Sequence, residues 1–358
     1  MSVARRIGRL FLLVGLLVVV TAVWLINRLQ HPGPPRRSPP EVVLYIPPGT
    51  STDAIFRRLA FEGVVGNAKL AEIYYRLRLG ATPLQAGEYR FHRPMDIDDV
   101  ISRMRRGDVV QHAVVVPEGF TAEETFQLFV DQGIGTPEGF RAVLAETDLL
   151  PGLAQGAPDL EGFLFPETYR VTRSTTARQV VESMVAQFRQ NFRPELRDRA
   201  HALGLTAREV VTLASIVQKE TSLPRETTTV AGVYWNRMTR GMRLQADPTV
   251  AYALKRDGKW TGVLHRSDYA YESPYNTYLY EGLPPGPICN PGAAALEAAV
   301  EPARTEFLYF VADANGGHTF SRTFEQHLQA IATSRRARAE VAAPAEPTPP
   351  ASRPSGGR

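Results

Sequence analysis

An uncharged apolar segment near the N-terminus constrains this chain more than any other feature. Its 17 residues run from Leu10 to Ile26 and read LFLLVGLLVVVTAVWLI. A helix of that length spans about 26 Å, close to the thickness of the hydrocarbon core of a bilayer. We therefore predict a transmembrane anchor at residues 10–26, preceded by a short tail at residues 1–9. No A-x-A-like site follows the segment, which favours an uncleaved anchor over a cleaved signal peptide.

The charges that flank the anchor do not assign its orientation. Arginines precede it at positions 5, 6 and 9 and follow it at positions 28, 36 and 37. Because both sides are basic, the positive-inside rule gives no preference. The side of the membrane on which the rest of the chain lies is therefore left open by the flanking charges.

Two segments are predicted to lie outside the folded part. Residues 27–40 contain the proline-rich stretch HPGPPRRSPP, which predicts a semi-rigid, extended linker. Residues 336–358 end in a stretch that is rich in Pro, Ala, Ser and Gly and has no apolar period. That composition predicts a disordered tail.

The composition argues against several classes of protein. The chain of 358 residues has a formal net charge of +4, which gives no support for nucleic-acid binding. Its single cysteine, Cys289, rules out an internal disulfide framework, and we expect it to be a buried packing residue. The seven histidines show no HExxH or similar spacing, so we expect neither a metal nor a cofactor.

Hydrophobic patterning divides the remaining chain into two folded units and predicts an α+β protein. In the first unit, residues 41–111, the run Val42–Ile46 predicts a strand, and Ser51 is placed to cap the helix that follows. This strand–PxGTS–helix opening resembles the LysM-like subdomain that accompanies cell-wall enzymes. The second unit, residues 112–335, is predicted to be mainly helical, with a small β element that includes Phe307–Val311.

One helix of the second unit carries the strongest candidate for a catalytic group. Thr206 opens a capping box, TARE, and the apolar run after it predicts a buried helix. Near the end of this helix, Glu220 lies over Ile216 and Val217. Desolvation and the helix dipole both raise the pKa of a carboxyl group there, so that it can serve as a general acid. The alternative is a surface glutamate at a frayed helix end, paired with Arg225.

Five islands of sequence resemble one known family in their order and spacing. They are EGFLFPETY (161–169), LASIVQKET (213–221), GMRLQADPTV (241–250), YNTY…GLPPGPICNPG (275–292) and GGHTFS (316–321), the last following the strand YFVAD. Over roughly residues 41–335, with the membrane segment before them, the chain is similar to the endolytic murein transglycosylases, the MltG-type or YceG-like family.

The resemblance implies an enzyme anchored in the cell inner membrane, with its catalytic domain outside that membrane. Such an enzyme cuts the β-1,4 bond between N-acetylmuramic acid and N-acetylglucosamine inside peptidoglycan glycan strands, leaves a 1,6-anhydro end and would limit the length of nascent strands. Peptidoglycan synthases are candidate partners. The family's catalytic glutamate falls on Glu220, directly before Thr221. This chain departs from the family at Gln218, where a second glutamate is usual.

The other islands supply candidate substrate-binding groups. In a lytic transglycosylase the C6 hydroxyl of the same sugar is the nucleophile, so one essential carboxylate suffices in a groove of amides, hydroxyls and aromatic rings. Asp247 and Pro248 are expected at the N-cap and N1 positions of a helix. The candidate substrate-binding residues are Gln218, Gln245, Asp247, Thr249, Tyr275, Asn276, Thr277, Tyr278 and His318.

Two alternative functions stay open at this point. A muramidase-type hydrolase would pair Glu220 with a second carboxylate, for which Glu161 and Glu167 are candidates if either lies about 5–9 Å away. Because Gln218 replaces the family's glutamate, the chain is alternatively a catalytically silent, peptidoglycan-binding scaffold. The mass of the product distinguishes a hydrolase from a transglycosylase. Whether glycan strands are cleaved at all distinguishes a scaffold from either enzyme.

Overall fold

A long helix at the N-terminus contains the predicted membrane anchor. The computed structural model describes residues 3–30, 39–80 and 82–342, and its first helix, α1, spans Val3–Gln30. Within α1, Ile7–Arg28 has a mean hydropathy of 2.6, no residue of its apolar window is fully buried, and its length is compatible with a single-pass anchor. The predicted linker falls largely on residues 31–38, and most of the predicted tail on residues 343–358, which are outside the described residues.

The rest of the described chain mixes helices with short strands, which confirms the mixed helix and strand class. The strands pair into the two-stranded sheets β1–β2, β3–β4 and β5–β6. They span Glu41–Ile46 (β1), Gly87–His92 (β2), His112–Val115 (β3), Thr168–Val171 (β4), Tyr309–Ala312 (β5) and His318–Ser321 (β6). The helices after α1 span Thr52–Phe61 (α2), Ala68–Leu79 (α3), Ile97–Arg106 (α4), Ala122–Asp131 (α5), Pro137–Leu144 (α6), Ala177–Asn191 (α7), Pro194–Ala202 (α8), Ala207–Glu220 (α9), Pro224–Thr239 (α10), Asp247–Arg256 (α11), Ala293–Val300 (α12) and Phe324–Ala342 (α13).

The chain divides into two compact units, the first of which holds the residues up to Val114 and two short later segments. In this unit β1 pairs antiparallel with β2, and Leu44 lies opposite Tyr89. Ser51 caps α2 as predicted, because its side chain accepts a hydrogen bond from the backbone N–H of Ala54. Apolar side chains of α2, α3 and α4 pack with those of the sheet into one core. The LysM-like character of this unit stays a prediction.

The second unit, which includes Ala177 and most residues after it, is organised around the buried helix α9. Thr206 and Glu209 form the predicted capping box at its start. Every residue from Val210 to Val217 is buried, and α9 packs against α8, α10, α11 and α12. Cys289 is fully buried, as predicted. A helix covered on all sides needs apolar residues around its whole circumference, and the sequence of α9 provides them.

A β-hairpin and the last helix complete the second unit. β5 pairs antiparallel with β6, so that Phe310 lies opposite Phe320, and α13 packs against both strands. The helix continues to Ala342, which corrects the boundary predicted at residue 335. Residues 336–342 are helical rather than disordered, because Arg, Ala and Glu, which dominate this stretch, have high helix propensities.

Candidate active site

Glu220 is the last residue of α9 and lies at the boundary between the hydrophobic core and a cavity. The side chains of Ile216 and Val217, one turn earlier, are fully buried. The backbone N–H of Thr221 closes the helix by bonding to the carbonyl of Val217. Glu220 itself keeps some exposed surface. The predicted apolar surroundings of this end of the helix are therefore present.

A buried tyrosine of the next helix holds one oxygen of Glu220. The hydroxyl of Tyr234, on α10, donates a hydrogen bond of 2.6 Å to Oε1. Tyr234 is only 1% exposed, and burial beside Glu220 raises the pKa of its phenol well above the ordinary value, so that it remains a donor. Because Oε1 is occupied as an acceptor, Oε2 is the oxygen that is left to carry a proton.

Burial dominates the electrostatics of Glu220. Protein atoms enclose the carboxyl group, and the lost hydration raises its pKa to about 7. The charge of Asp247 raises this pKa as well, whereas the hydrogen bond from Tyr234 and the guanidinium of Arg237 lower it. The result is a carboxyl group that is close to half protonated at neutral pH. Such a group can donate a proton in one step and accept one in the next.

Glu220 opens onto a cavity of about 300 Å³ in the second unit. One part of its lining is polar and the other is aromatic or aliphatic, a combination that suits a ligand with both hydroxyl groups and apolar faces. The polar part consists of Glu220, Tyr234, Arg237, Gln245, Asp247 and Tyr278. The other part is mostly aromatic or aliphatic and consists of Tyr309, Phe310, Val311, Phe324, His327 and Ile331.

Arg237 is held in the cavity by backbone carbonyls. Its Nε donates to the carbonyl of Leu308 at 2.7 Å, and its Nη1 donates to that of Leu244 at 2.5 Å. The residue is only 8% exposed, and its guanidinium lies 5.2 Å from the centre of the Tyr309 ring. This fixed cation favours the ionised form of Glu220, and it does so without having to move when charge develops.

Asp247 faces the cavity but does not cap a helix, which corrects the sequence prediction. The N-cap of α11 is Ala246, and Asp247 occupies the first helical position. Its carboxylate instead accepts hydrogen bonds from the hydroxyls of Tyr278 at 2.5 Å and Tyr269 at 3.4 Å. The carboxylate therefore bonds to these two hydroxyls rather than to backbone N–H groups at the start of the helix, and the tyrosines hold it beside Glu220.

Gln245 reaches the cavity from a strained backbone. Its φ of 49° lies in the left-handed region, which a non-glycine residue seldom adopts. The conformation is held by a hydrogen bond of 3.1 Å from its N–H to the carbonyl of Thr277. Backbone strain of this kind costs on the order of 1–3 kcal/mol and is concentrated at functional sites. Gln245 is thus one of the sequence-predicted substrate residues that the structure brings to Glu220.

Four of the predicted substrate residues are buried and do not line the cavity, and their role in substrate binding stays a prediction. Thr249, Asn276 and Thr277 are at most 2% exposed and Tyr275 is 6% exposed. The hydroxyls of Thr249 and Thr277 bond to each other at 2.9 Å, and the Asn276 amide donates to two backbone carbonyls. The Tyr275 hydroxyl accepts from Arg256. These groups have partners within the protein because buried polar atoms must be satisfied there.

Gln218 and His318 also lie away from the cavity lining. Oε1 of Gln218 accepts a hydrogen bond of 3.0 Å from the backbone N–H of Gly292 and so anchors the loop before α12. Nδ1 of His318 lies 2.8 Å from the carboxylate of Glu226. On a helix, Gln218 is about 200° away from Glu220, so the two side chains face different surroundings.

Neither Glu161 nor Glu167 lines the cavity of Glu220. Both oxygens of Glu161 accept from the N–H of Ala122, at 3.0 and 3.1 Å, where α5 begins. Burial raises the pKa of Glu161 to about 8, and the residue lines a different cavity of about 500 Å³. Glu167 accepts from the backbone N–H of the next residue. The carboxylate that accompanies Glu220 is therefore Asp247.

Sequence reasoning missed Tyr234, Arg237 and the wall that β5 and α13 contribute. Tyr234 and Arg237 lie three residues apart and hence on one face of α10. A tyrosine and an arginine that share a buried helix face are the signal that would have identified them. The residues of β5 and α13 carry no comparable local signal, because they are distant from Glu220 in sequence.

Known proteins match the chain over most of its length. The model of the YceG-like family matches residues 44–333. An endolytic murein transglycosylase of Bacillus subtilis is 30% identical over 308 residues, which cover 81% of this chain and 83% of that protein. One of Streptococcus pneumoniae is 29% identical, and the match covers 78% of this chain and 55% of that longer protein.

A solved structure is similar as well. The 2.6 Å crystal structure of a yceG-like protein from Listeria monocytogenes superimposes with a TM-score of 0.55 and 29% sequence identity. The superposition covers 82% of this chain and 99% of that one.

Proposed function

The chain belongs to the YceG-like family, and we propose that it is a lytic transglycosylase that cuts peptidoglycan glycan strands internally. The observation that carries this proposal is the enclosed carboxyl group of Glu220, with a pKa near 7 and one oxygen bonded by Tyr234. The activity named for the relatives needs one group that is first an acid and then a base. Glu220 has the properties of that group.

The first step is protonation of the leaving oxygen. With Oε1 accepting from Tyr234, Oε2 of protonated Glu220 donates its proton to the glycosidic oxygen between the two sugars. The C1–O bond then breaks, and positive charge develops on C1 of the N-acetylmuramic acid residue. Tyr234 and the fixed guanidinium of Arg237 stabilise the carboxylate that Glu220 becomes.

The second step closes the anhydro ring. The C6 hydroxyl of the same sugar attacks C1, and Glu220 takes up the proton that this hydroxyl loses. Because the nucleophile is tethered to the sugar it attacks, its effective concentration is high, and no water has to be activated. Glu220 ends the cycle protonated, and the product carries a 1,6-anhydro-N-acetylmuramic acid end.

The cellular role follows from the anchor and the substrate. The helix Ile7–Arg28 would hold the enzyme in the cell membrane, with the second unit on the outer side, where peptidoglycan is located. Internal cuts there would limit the length of nascent strands. Peptidoglycan synthases, which supply such strands, are the partners expected for this reaction.

A muramidase-type hydrolase is the second candidate, because Asp247 shares the cavity with Glu220. A hydrolase would use Asp247 as a nucleophile or to activate water. The hydroxyls of Tyr278 and Tyr269, however, already bond to this carboxylate. Because each of its two oxygens already accepts one of these bonds, neither is left free of a partner to attack the sugar or to hold a water, so transglycosylation remains the preferred proposal.

The test is digestion of uncrosslinked glycan strands by the full-length protein in detergent, with the products read by mass spectrometry. Wild type should release fragments with anhydro ends, which are lighter by one water than hydrolysis products. Glu220→Gln should lose at least about 100-fold in rate, since general acid catalysis contributes roughly 10²–10⁴-fold. Glu195→Gln, an exposed change on α8, is the control and should retain full activity.

Two outcomes would replace the proposal. Fragments with ordinary reducing ends would identify a hydrolase, and loss of activity in Asp247→Asn would then assign its second carboxylate. Strands that bind but are not shortened, by wild type and Glu220→Gln alike, would identify a silent scaffold.

A further inference from the structure

One wall of the cavity comes from elements that the catalytic motifs do not include. Tyr309 and Phe310 belong to β5, and Phe324, His327 and Ile331 belong to α13. Phe324 is 53% exposed although it is a large apolar side chain. An exposed aromatic ring at the rim of a polar cavity offers a surface on which an apolar part of a ligand can pack.

His327 is the one polar side chain in this wall apart from the Tyr309 hydroxyl. Its ring stacks on that of Tyr309, with centroids 5.2 Å apart and an angle of 22° between the planes. Its Nδ1 is buried and has no hydrogen-bond partner among the described residues. Nε2 is therefore the ring nitrogen that is left to bond to a ligand.

The same surroundings keep His327 neutral. Burial lowers the pKa of its imidazole, and the guanidinium of Arg237 lowers it further. Protonation would also place an N–H on Nδ1, where no acceptor is available within the described chain. A neutral imidazole with an unpaired, buried Nδ1 is best accommodated as the tautomer that carries its proton on Nε2. His327 thus presents one N–H donor within a wall whose other polar group is the Tyr309 hydroxyl.

We propose that this wall binds the acetamido group of an N-acetylhexosamine, with Nε2–H of His327 donating to the acetamido carbonyl. An acetamido group combines one strong neutral acceptor with a methyl group, and the wall combines the neutral N–H of His327 with aromatic and aliphatic surface. The methyl group packs against Phe324 and Ile331. This inference rests on the proposed function, because it concerns a sugar bound in the same cavity.

The assignment makes His327 a specificity residue and not a proton carrier. It selects sugars that carry an acetamido group over those with a free amine, because an amine that is protonated at neutral pH has no lone pair and would leave the N–H in the wall unsatisfied. Glu220 and its partners act on the glycosidic oxygen, whereas His327 acts on a substituent of the sugar ring. The two roles are therefore separable by experiment.

Binding is measured with full-length protein in detergent that carries Glu220→Gln, so that strands stay intact. His327→Phe keeps a ring against Tyr309 but removes the donor, whereas His327→Gln retains an amide N–H near the position of Nε2. The control is His201→Gln, an exposed change on α8. The two probes are uncrosslinked glycan strands and the same strands after chemical removal of their N-acetyl groups.

On acetylated strands, His327→Phe should raise the Kd roughly 3- to 10-fold, the loss expected for one neutral hydrogen bond. His327→Gln should recover most of that loss, and His201→Gln should change nothing. On deacetylated strands, His327→Phe and its parent should bind equally, because the acceptor is gone.

Two results would overturn the proposal. One is an equal loss in His327→Phe and His327→Gln, which would assign the effect to packing. The other is an undiminished effect of His327→Phe on deacetylated strands, which would place its partner elsewhere. Failure of the proposed function is distinct from both, since it would appear as absence of anhydro products from the protein with Glu220 intact.

Discussion

The phenolic oxygen of Tyr234 lies 2.6 Å from Oε1 of Glu220 and donates a hydrogen bond to it. This bond favours the ionised form of Glu220 and partly offsets the effect of burial on its pKa. A tyrosine that is itself buried cannot exchange this partner for water, so the bond persists through the catalytic cycle. The bond from Tyr234 therefore influences the acidity of Glu220 and, in the proposed mechanism, determines which oxygen delivers the proton.

Removing the Tyr234 hydroxyl should make Glu220 a weaker acid. In Tyr234→Phe we expect its pKa to rise by on the order of one unit, since a hydrogen bond to a charged group contributes about 1.5–3 kcal/mol. The alkaline limb of the pH profile of kcat/KM should move to higher pH by that amount, while the plateau rate falls roughly 10-fold.

A matched control separates this effect from loss of a buried hydroxyl in general. Tyr89 is likewise buried, and its hydroxyl donates to the backbone carbonyl of Gln85 at 2.8 Å in the first unit. Tyr89→Phe should leave the pH profile unchanged. A Tyr234→Phe profile that keeps its alkaline limb at the wild-type pH would contradict the assigned role.

Removing the charge of Asp247 should shift the alkaline limb of the kcat/KM profile to lower pH, opposite to the shift expected for Tyr234→Phe. The negative charge of Asp247 raises the pKa of Glu220. Asp247→Asn removes that charge but keeps an acceptor for the hydroxyl of Tyr278. We expect the alkaline limb of kcat/KM to move to lower pH, by roughly half a unit for a charge in a partly hydrated cavity. An upward shift, or none, would contradict the proposed effect of the Asp247 charge on the pKa of Glu220.

Glu220 should also make stability depend on pH. Its pKa is about 7 in the folded chain, against an ordinary value of 4.5, so the folded state holds the proton more tightly. The favourable contribution of its neutral form is complete below about pH 4.5 and is lost as the pH rises through about 7. Glu220→Gln cannot ionise and should exceed wild type in free energy of unfolding at pH 8, by up to about 3 kcal/mol.

This difference should shrink towards zero at about pH 3.5, roughly one unit below the ordinary value of 4.5, where Glu220 is mostly neutral in the unfolded state as well as in the folded state. Denaturant unfolding of both proteins at the two pH values measures it. Glu195→Gln, on the exposed surface of α8, should show no such pH dependence. A stability gain in Glu220→Gln that is the same at both pH values would mean that its carboxyl is not desolvated.

Replacing Gln218 by glutamate should have little effect on catalysis. Oε1 of Gln218 accepts from the N–H of Gly292, and a glutamate can accept the same bond. We therefore expect Gln218→Glu to change kcat by less than about 3-fold, whereas Gln218→Ala should lower the free energy of unfolding by about 1 kcal/mol. A large gain of activity in Gln218→Glu would instead make this position part of the chemistry.

The sequence alone was sufficient to predict features that depend only on residues close together in the chain. The capping box of Thr206 and Glu209 and the cap at Ser51 were predicted, because each depends on residues within one helical turn. The apolar end of α9 around Glu220 was predicted for the same reason. The N-cap role of Asp247 was wrong, since hydroxyls from Tyr278 and Tyr269 bind its carboxylate from outside the helix.

Long-range contacts decided which candidates reach the cavity. Polar residues in one island, such as Thr277 and Tyr278, look alike in sequence. In the fold Thr277 bonds to Thr249 in the interior, and Tyr278 faces Glu220 and Asp247. No periodicity in a loop distinguishes the two, because the direction of a loop side chain is set by what packs against it.

The sequence by itself determined the apolar N-terminal helix, the mixed architecture, the buried helix and the glutamate at its end, because hydrophobicity, helical period and capping act between neighbours along the chain. The tertiary structure alone decided the acidity of Glu220 and the wall that surrounds its cavity. Tyr234, Arg237 and His327 come from other helices, and desolvation and charge depend on distances through space rather than along the sequence.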